Sequence, residues 1–260
     1  MNLNFEKWHG NGNDFVIVDS IKKKIRMDAN KIVKISDRNK GIGFDQLIQI
    51  CLPTRANQNF FIKFYNADGS EAGMCLNGIR CASQYIWNNK FAPKGVINIQ
   101  TKSKNIICLP NKKNKVQVLV DSPKIITKQI LNEKLKKNIK ENFLLLNIGN
   151  NHLCIKLKSI KKINLIAMYD NLKSIIKDYD INLSIFSKNS EFIQIRTYEN
   201  GVGETLSCGS ASLCVASHYL TKKNKIIIKS IGGELDFQKE NHSILITGPT
   251  NFIYRGNLNE

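Results

Sequence analysis

The stretch from Met74 to Ala82 reads MCLNGIRCA, and 133 residues later the stretch from Ser207 to Val215 reads SCGSASLCV. In each, a cysteine is followed by small or polar residues, then by a second cysteine six positions on and an apolar run. The likeness reaches upstream. Asn66 and Glu199 stand nine residues before the first cysteine of their copy, each after a tyrosine, while Glu71 and Glu204 stand four before it. One pattern written twice at matching offsets restricts the chain to two halves of one plan, unless the copies are two unrelated amphipathic helices. At 260 residues the chain suits two units of about 100 to 150 residues each.

The local patterning fits that plan. β-like runs occur at 15–21, 47–52, 60–66, 96–101 and 116–121, and apolar positions 79, 82 and 86 follow Cys75 at helical spacing. After Lys112 the order repeats. Strands are expected near 142–149 and 153–157, a helix near 164–177 and a strand over 191–198; a second helix then carries 213, 216 and 220. The runs KIIIKS, GELDFQ and SILITG complete the second half. The reading is an α+β chain of two pseudosymmetric halves, each a mostly antiparallel sheet wrapped around a central helix. The halves are expected at 1–114 and 115–250, with a boundary at the lysine run 112–115 and strand 251–260 returning to the first half.

Composition narrows the setting. There is neither a basic-then-apolar leader nor a run of about 18 apolar residues, so no membrane partner is expected and the expected location is the cytoplasm. Seven cysteines spread through the chain read as reduced thiols rather than a disulfide frame. Thirty-nine Lys plus Arg against 21 Asp plus Glu give a net charge of +18, which alone would favour a basic RNA-binding protein. The lysines, however, run beside Asn and Ile with few interleaved aromatics or arginines, which marks solvated faces and no specific nucleic-acid partner.

The paired cysteines point to chemistry. A four-cysteine zinc site fails on spacing: six residues along a helix turn the chain by roughly 600°, so Cys75 and Cys81 project from nearly opposite faces. No metal is expected, and Cys81 and Cys214 read as packing residues. Cys75 and Cys208 stand where their helices begin, at free N–H donors and partial positive charge that favour a reactive thiol. Two such thiols suit inversion at a carbon: one removes a proton and the other returns one to the opposite face, with no electron-sink cofactor. Backbone donors from Leu76, Asn77, Gly209 and Ser210 would stabilise the charge that builds on the carboxylate, each donor worth about 3 to 4 kcal/mol.

The segments HGNGNDF (9–15), GIGFDQ (41–46), FYNADGSEAGMCLNGIRC (64–81), GNNH (149–152) and YENGVGETLSCGSAS (198–212) resemble, in order and spacing, those of diaminopimelate epimerases, over essentially the whole chain. The resemblance implies a PLP-independent isomerase of two barrel-like halves, with the cysteine pair in a cleft, that interconverts LL- and meso-diaminopimelate on the route to lysine and cell-wall peptide. It implies that Cys75 and Cys208 are the acid–base pair. By the same resemblance Asn13, Gln46, Asn66, Asn150 and Asn189 hold substrate, and His152 and Glu199 assist at the reacting centre. His9 reads as shaping its loop. A homodimer remains open. Three residues depart from the family pattern: Leu76 for Gly, Asn151 for Pro and Asn200 for the Arg that holds the distal carboxylate. Asn200 therefore keeps a racemase of another amino acid as the alternative.

Overall fold

The computed structural model describes residues 2–259, and the chain divides into two compact units, 1–120 with 247–260, and 121–246. The first unit runs β1 (Asn2–Gly10), β2 (Asn13–Asp19), α1 (Ala29–Ser36), β3 (Gln46–Cys51), β4 (Phe60–Asn66), β5 (Glu71–Ala72), α2 (Leu76–Asn88), β6 (Ile97–Gln100), β7 (Asn105–Pro110) and β8 (Lys115–Asp121). The second opens on β9 (Lys124–Ile125) and α3 (Gln129–Asn138), then runs β10 (Phe143–Asn147), β11 (Asn151–Lys156), α4 (Leu165–Ile176), β12 (Ile181–Lys188), β13 (Ile193–Glu199), β14 (Gly203–Thr205), α5 (Gly209–Leu220), β15 (Lys225–Ser230) and β16 (Gly233–Glu240), and β17 (Ser243–Pro249) begins in it and ends in the first. The last strand, β18 (Asn251–Asn259), lies antiparallel against β1.

The duplication holds pair by pair. β1–β2 and β10–β11 are antiparallel, β2–β3 and β11–β12 parallel, β3–β4 and β12–β13 antiparallel, and β4–β6 and β13–β15 parallel. The fold is thus two copies of one mixed, mostly antiparallel sheet, each copy with one largely buried helix, α2 or α5, at the equivalent place. The period of two along the strands explains the layering in the first unit. Phe15, Ile48 and Phe64 face α2 at Gly78, whereas Val16, Val18 and Leu47 pack with Ile32 and Ile35 of α1. Every residue of α2 from Leu76 to Trp87 is buried, as suits a helix enclosed by its sheet. In the second unit α3 and α4 cover the outer layer through Leu131, Leu135, Leu165 and Leu172.

Several elements lie outside the sequence expectation: β1, β7, β12, the short β5, β9 and β14, and the helices α1 and α3. The lysine run 112–115 is the turn of the β7–β8 hairpin, with Lys113 and Asn114 at φ of 55°, and the division between units falls beyond it, after Val120. No helix among the described residues is long and apolar enough to cross a membrane.

Candidate active site

Cys75 is the N-cap of α2, in extended conformation at φ −136° and ψ 118°. Its Sγ accepts the Gly78 N–H at 3.4 Å and lies 3.5 Å from Asn13 Oδ1. The direction of the Asn13 amide is fixed from behind. Its Nδ2 donates to Asp45 Oδ2 at 2.8 Å, and a carboxylate only accepts, so Oδ1 must turn toward Cys75 and toward the Asn77 Nδ2, 3.5 Å away. Asp45 is held by Arg38, whose guanidinium also forks onto both oxygens of Asp14 at 2.8 and 2.9 Å. Lys7, which also donates to the Gly43 carbonyl, pairs with Asp14 at 2.7 Å. Burial alone would raise the Asp14 carboxyl, but hydrogen bonds and charge from Arg38 and Lys7 hold it well below the usual carboxylate range.

Gln46 and Asn66 are cross-strand partners on β3 and β4, joined by Gln46 Nε2 donating to Asn66 Oδ1 at 2.8 Å. The Gln46 Oε1 is buried without a hydrogen-bond partner among the described residues, so it is an acceptor available to an ammonium group. Leu76, where the family has glycine, takes no positive φ and is the first residue of the helix, so its N–H is one of those that α2 leaves without an intrahelical partner. His9 Nδ1 accepts the Gly12 N–H at 3.3 Å, which closes its own turn.

The second unit repeats the arrangement with different side chains. Cys208 is the N-cap of α5 at φ −112° and ψ 108°, its Sγ 3.3 Å from Ser210 Oγ, and that hydroxyl accepts from Asn150 Nδ2 at 3.5 Å. In each unit, then, the thiol, an amide from the first hairpin and the second residue of the helix form one connected set, joined through Asn13 in the first unit and through Ser210 in the second. His152, on β11, is fully buried; burial lowers its pKa to about 4, and neither ring nitrogen has a partner among the described residues. Its imidazole is neutral near pH 7.

The remaining sequence-predicted residues are tied into their own hairpins or to neighbouring elements. Asn189 Oδ1 accepts from the N–H groups of Glu191 and Phe192 at 2.9 and 2.8 Å, which leaves Nδ2 as its donor. Glu199 accepts from the Thr205 hydroxyl at 2.8 Å. The Asn200 side chain accepts from Tyr169 at 2.7 Å and donates to Asp180 at 3.2 Å. Asn151, standing where the family has proline, replaces ring stiffness with two bonds, accepting from Asn147 and donating to the Tyr179 carbonyl, both at 2.7 Å. The two glutamates four residues before the cysteines serve ion pairs, Glu71 with Lys102 at 3.3 Å and Glu204 with Arg196 at 2.6 Å. Cys81 and Cys214 are fully buried; burial pushes the Cys81 thiol up to about 12 and raises that of Cys214 well above its ordinary value.

Sequence reasoning passed over Asp45 and Arg80, both inside quoted motifs. The signal for Arg80 was available: it is a lone cation in an otherwise neutral helix, and its counterpart in the second copy is Leu213.

Residues 5–126 match the family described as Diaminopimelate epimerase. A relative of that name from Wigglesworthia glossinidia brevipalpis is 36% identical, covering 99% of this chain and 100% of its own. Another from Psychrobacter sp. (strain PRwf-1) is 30% identical, covering 98% and 94%. Among solved structures, a Bacillus anthracis phenazine biosynthesis protein of the PhzF family superposes with a TM-score of 0.74 at 15% identity, over 100% of both chains, and so shares the fold.

Proposed function

The chain belongs to the diaminopimelate epimerase family, and from that premise we propose that Cys75 and Cys208 are the acid–base pair with which it inverts an α-carbon. It is an isomerase that interconverts LL-2,6-diaminopimelate and meso-diaminopimelate. The observation that carries the assignment is the equivalence of the two cysteines: each caps the enclosed helix of its unit at the same place in a duplicated order of elements.

One cysteine, as thiolate, takes the α-proton; the electron pair left on carbon delocalises into the carboxylate; the other, as thiol, delivers its proton to the opposite face. The proton count is unchanged and the two cysteines end with their states exchanged, so the return reaction uses the same groups. The α-C–H is far less acidic than a thiol, and the charge on the carboxylate must be stabilised as it forms. The N–H groups of Leu76, Asn77, Gly209 and Ser210, in the first turns of α2 and α5, supply this at about 3 to 4 kcal/mol for each well-placed donor.

In this reading Asn13 and Gln46 offer oriented acceptors, Asn66, Asn150 and Asn189 hold the distal end, and neutral His152 and Glu199 border the reacting centre. Asn200 acts on the distal end through its hydrogen bonds to Tyr169 of α4 and to Asp180 ahead of β12 rather than by carrying charge. The reaction in this form uses no cofactor or metal and belongs in the cytoplasm.

The test is single substitution. Cys75→Ala and Cys208→Ala each abolish turnover, because neither thiol serves both faces, whereas Cys81→Ala and Cys214→Ala retain it. Near-normal epimerisation by either of the first two variants overturns the assignment.

A further inference from the structure

The α2 helix buries a full positive charge that the reaction scheme above does not use. Arg80 is completely enclosed, and among the described residues no carboxylate lies within ion-pair reach of it. Its Nη2 donates to Asn77 Oδ1 at 2.7 Å, its Nη1 to the Leu76 carbonyl at 3.2 Å, and its Nε is buried without a hydrogen-bond partner. Burial pulls its pKa down, yet a guanidinium stays protonated in proteins, so the cation persists.

A buried charge without a counter-ion is costly and calls for an account. The contacts supply one. Arg80 grips Leu76 and Asn77, the first two residues of the helix, and accepts nothing, so the Asn77 amide must turn its Nδ2 outward to Asn13 Oδ1. From Arg80 through Asn77 and Asn13 to Asp45 every bond then has a fixed donor and a fixed acceptor, with the Cys75 thiol beside the central oxygen. The second unit has no equivalent, because Leu213 occupies the matching helix position and is fully buried.

We infer that Arg80 is a positioning residue: it orients the first turn of α2 and places its charge behind that turn, so that the N-terminus carrying Cys75 receives an anionic group more strongly than the N-terminus carrying Cys208. This rests on the reading that these first turns meet the substrate carboxylate. The charged and titratable groups around it are Asp14, Asp45, Arg38 and Lys7 beyond Asn13, and the thiols of Cys75, Cys81 and Cys108.

The experiment compares alkylation of each cysteine by iodoacetate, an anion, and iodoacetamide, its neutral analogue, with rates read by peptide mass mapping. The ratio of the two rates cancels thiolate fraction and access and leaves local charge. In the unsubstituted protein the ratio is higher at Cys75 than at Cys208. In Arg80→Met the ratio at Cys75 falls about 3- to 10-fold while that at Cys208 does not move, and Arg80→Lys restores most of it. Turnover follows: Arg80→Met lowers kcat about 10- to 100-fold with a smaller change in KM, because the charge on the carboxylate builds mainly in the transition state. Equal ratios at the two cysteines of the unsubstituted protein overturn the inference, whether or not Arg80→Met folds. So does a Cys75 ratio that Arg80→Met leaves unchanged. Failure of the two-thiol assignment is separate, since it shows as retained turnover in Cys75→Ala.

Discussion

Gly78 in the first turn of α2 sets two known effects against each other. Its backbone is helical, so helix propensity alone makes Gly78→Ala stabilising by about 1 kcal/mol. A Cβ built there lies 2.7 Å from Phe64 Cε1, 3.0 Å from Ile48 Cδ1 and 3.3 Å from Phe15 Cε1. All three neighbours are fully buried in the sheet that encloses the helix, so none yields by swinging into solvent. Overpacking of this kind costs about 1 to 3 kcal/mol, and the net expectation is a loss of up to about 2 kcal/mol. The same displacement carries the Gly78 N–H away from Cys75 Sγ, now 3.4 Å off, and moves the first-turn donors with it. A shift of about 1 Å at a catalytic group can cost on the order of 100-fold in rate, so kcat should fall further than stability. Urea unfolding and steady-state epimerisation measure the two effects. Phe64→Leu in the same chain removes the closest contact and should recover part of both. If Gly78→Ala gains the full propensity increment and keeps its kcat, the enclosed-helix argument is wrong. The second unit provides the control: buried Ala211 holds the matching position, and Ala211→Gly there should simply lose about 1 kcal/mol.

Asp14→Asn leaves the buried Lys7 ammonium without its carboxylate and should cost about 3 to 5 kcal/mol by urea unfolding, with Lys7→Met/Asp14→Asn costing less than Asp14→Asn alone. In the unsubstituted protein the Asp14 carboxyl titrates below its unfolded value, so this stabilisation is complete above the unfolded pKa near 3.9 and is lost only as pH falls below it. His152 has the opposite partner problem: the unfolded imidazole binds a proton below about 6.5 while the folded one resists until about 4, so stability drops by about 2 kcal/mol between pH 7 and pH 5, and His152→Asn should flatten that slope. Asn200→Arg should lower KM for diaminopimelate with little change in kcat, at about 1 kcal/mol of stability because Tyr169 loses its acceptor; an unchanged or higher KM refutes the distal role.

What could be read from the sequence tracks where the physics is local. The enclosed helices announced themselves through repeated spacing, and the cysteines through their place before that spacing begins. The elements that escaped are those whose burial depends on distant partners. Helix α3, QILNEKLKKN, reads as a run of lysines, yet Leu131 and Leu135, four apart, bury one face while the lysines cover the other. Strand β12 places Asn182 and Ser184 inside, which no alternation rule favours; Asn182 accepts the Asn200 N–H and Ser184 meets the Thr197 hydroxyl at 2.9 Å across the strand pair. Strand β1 buries Glu6 and Lys7: Glu6 accepts from Trp8 on the same strand and pairs with Arg255 of β18, while Lys7 is satisfied by the Gly43 carbonyl and Asp14. In the site, the types of the amide residues were legible but their directions were not, since the Asn13 amide is set by a carboxylate 32 residues on.

The two units also show where duplicated chains are free to diverge. Their strand pairings are the same because each sheet must satisfy its own backbone, and a change of register in one copy would turn its apolar face outward. The layer beneath each thiol carries no such demand. In the first unit it is polar and directional, built from Arg80, Asn77 and Asn13; in the second the matching helix positions hold Leu213 and Ser210, and the charge is gone. An enzyme that inverts one carbon needs both thiols to have equal reach but not equal basicity, since in each direction one begins as base and the other as acid. A fixed cation behind one helix and an alkyl chain behind the other set the two copies apart without altering the backbone that presents the thiols.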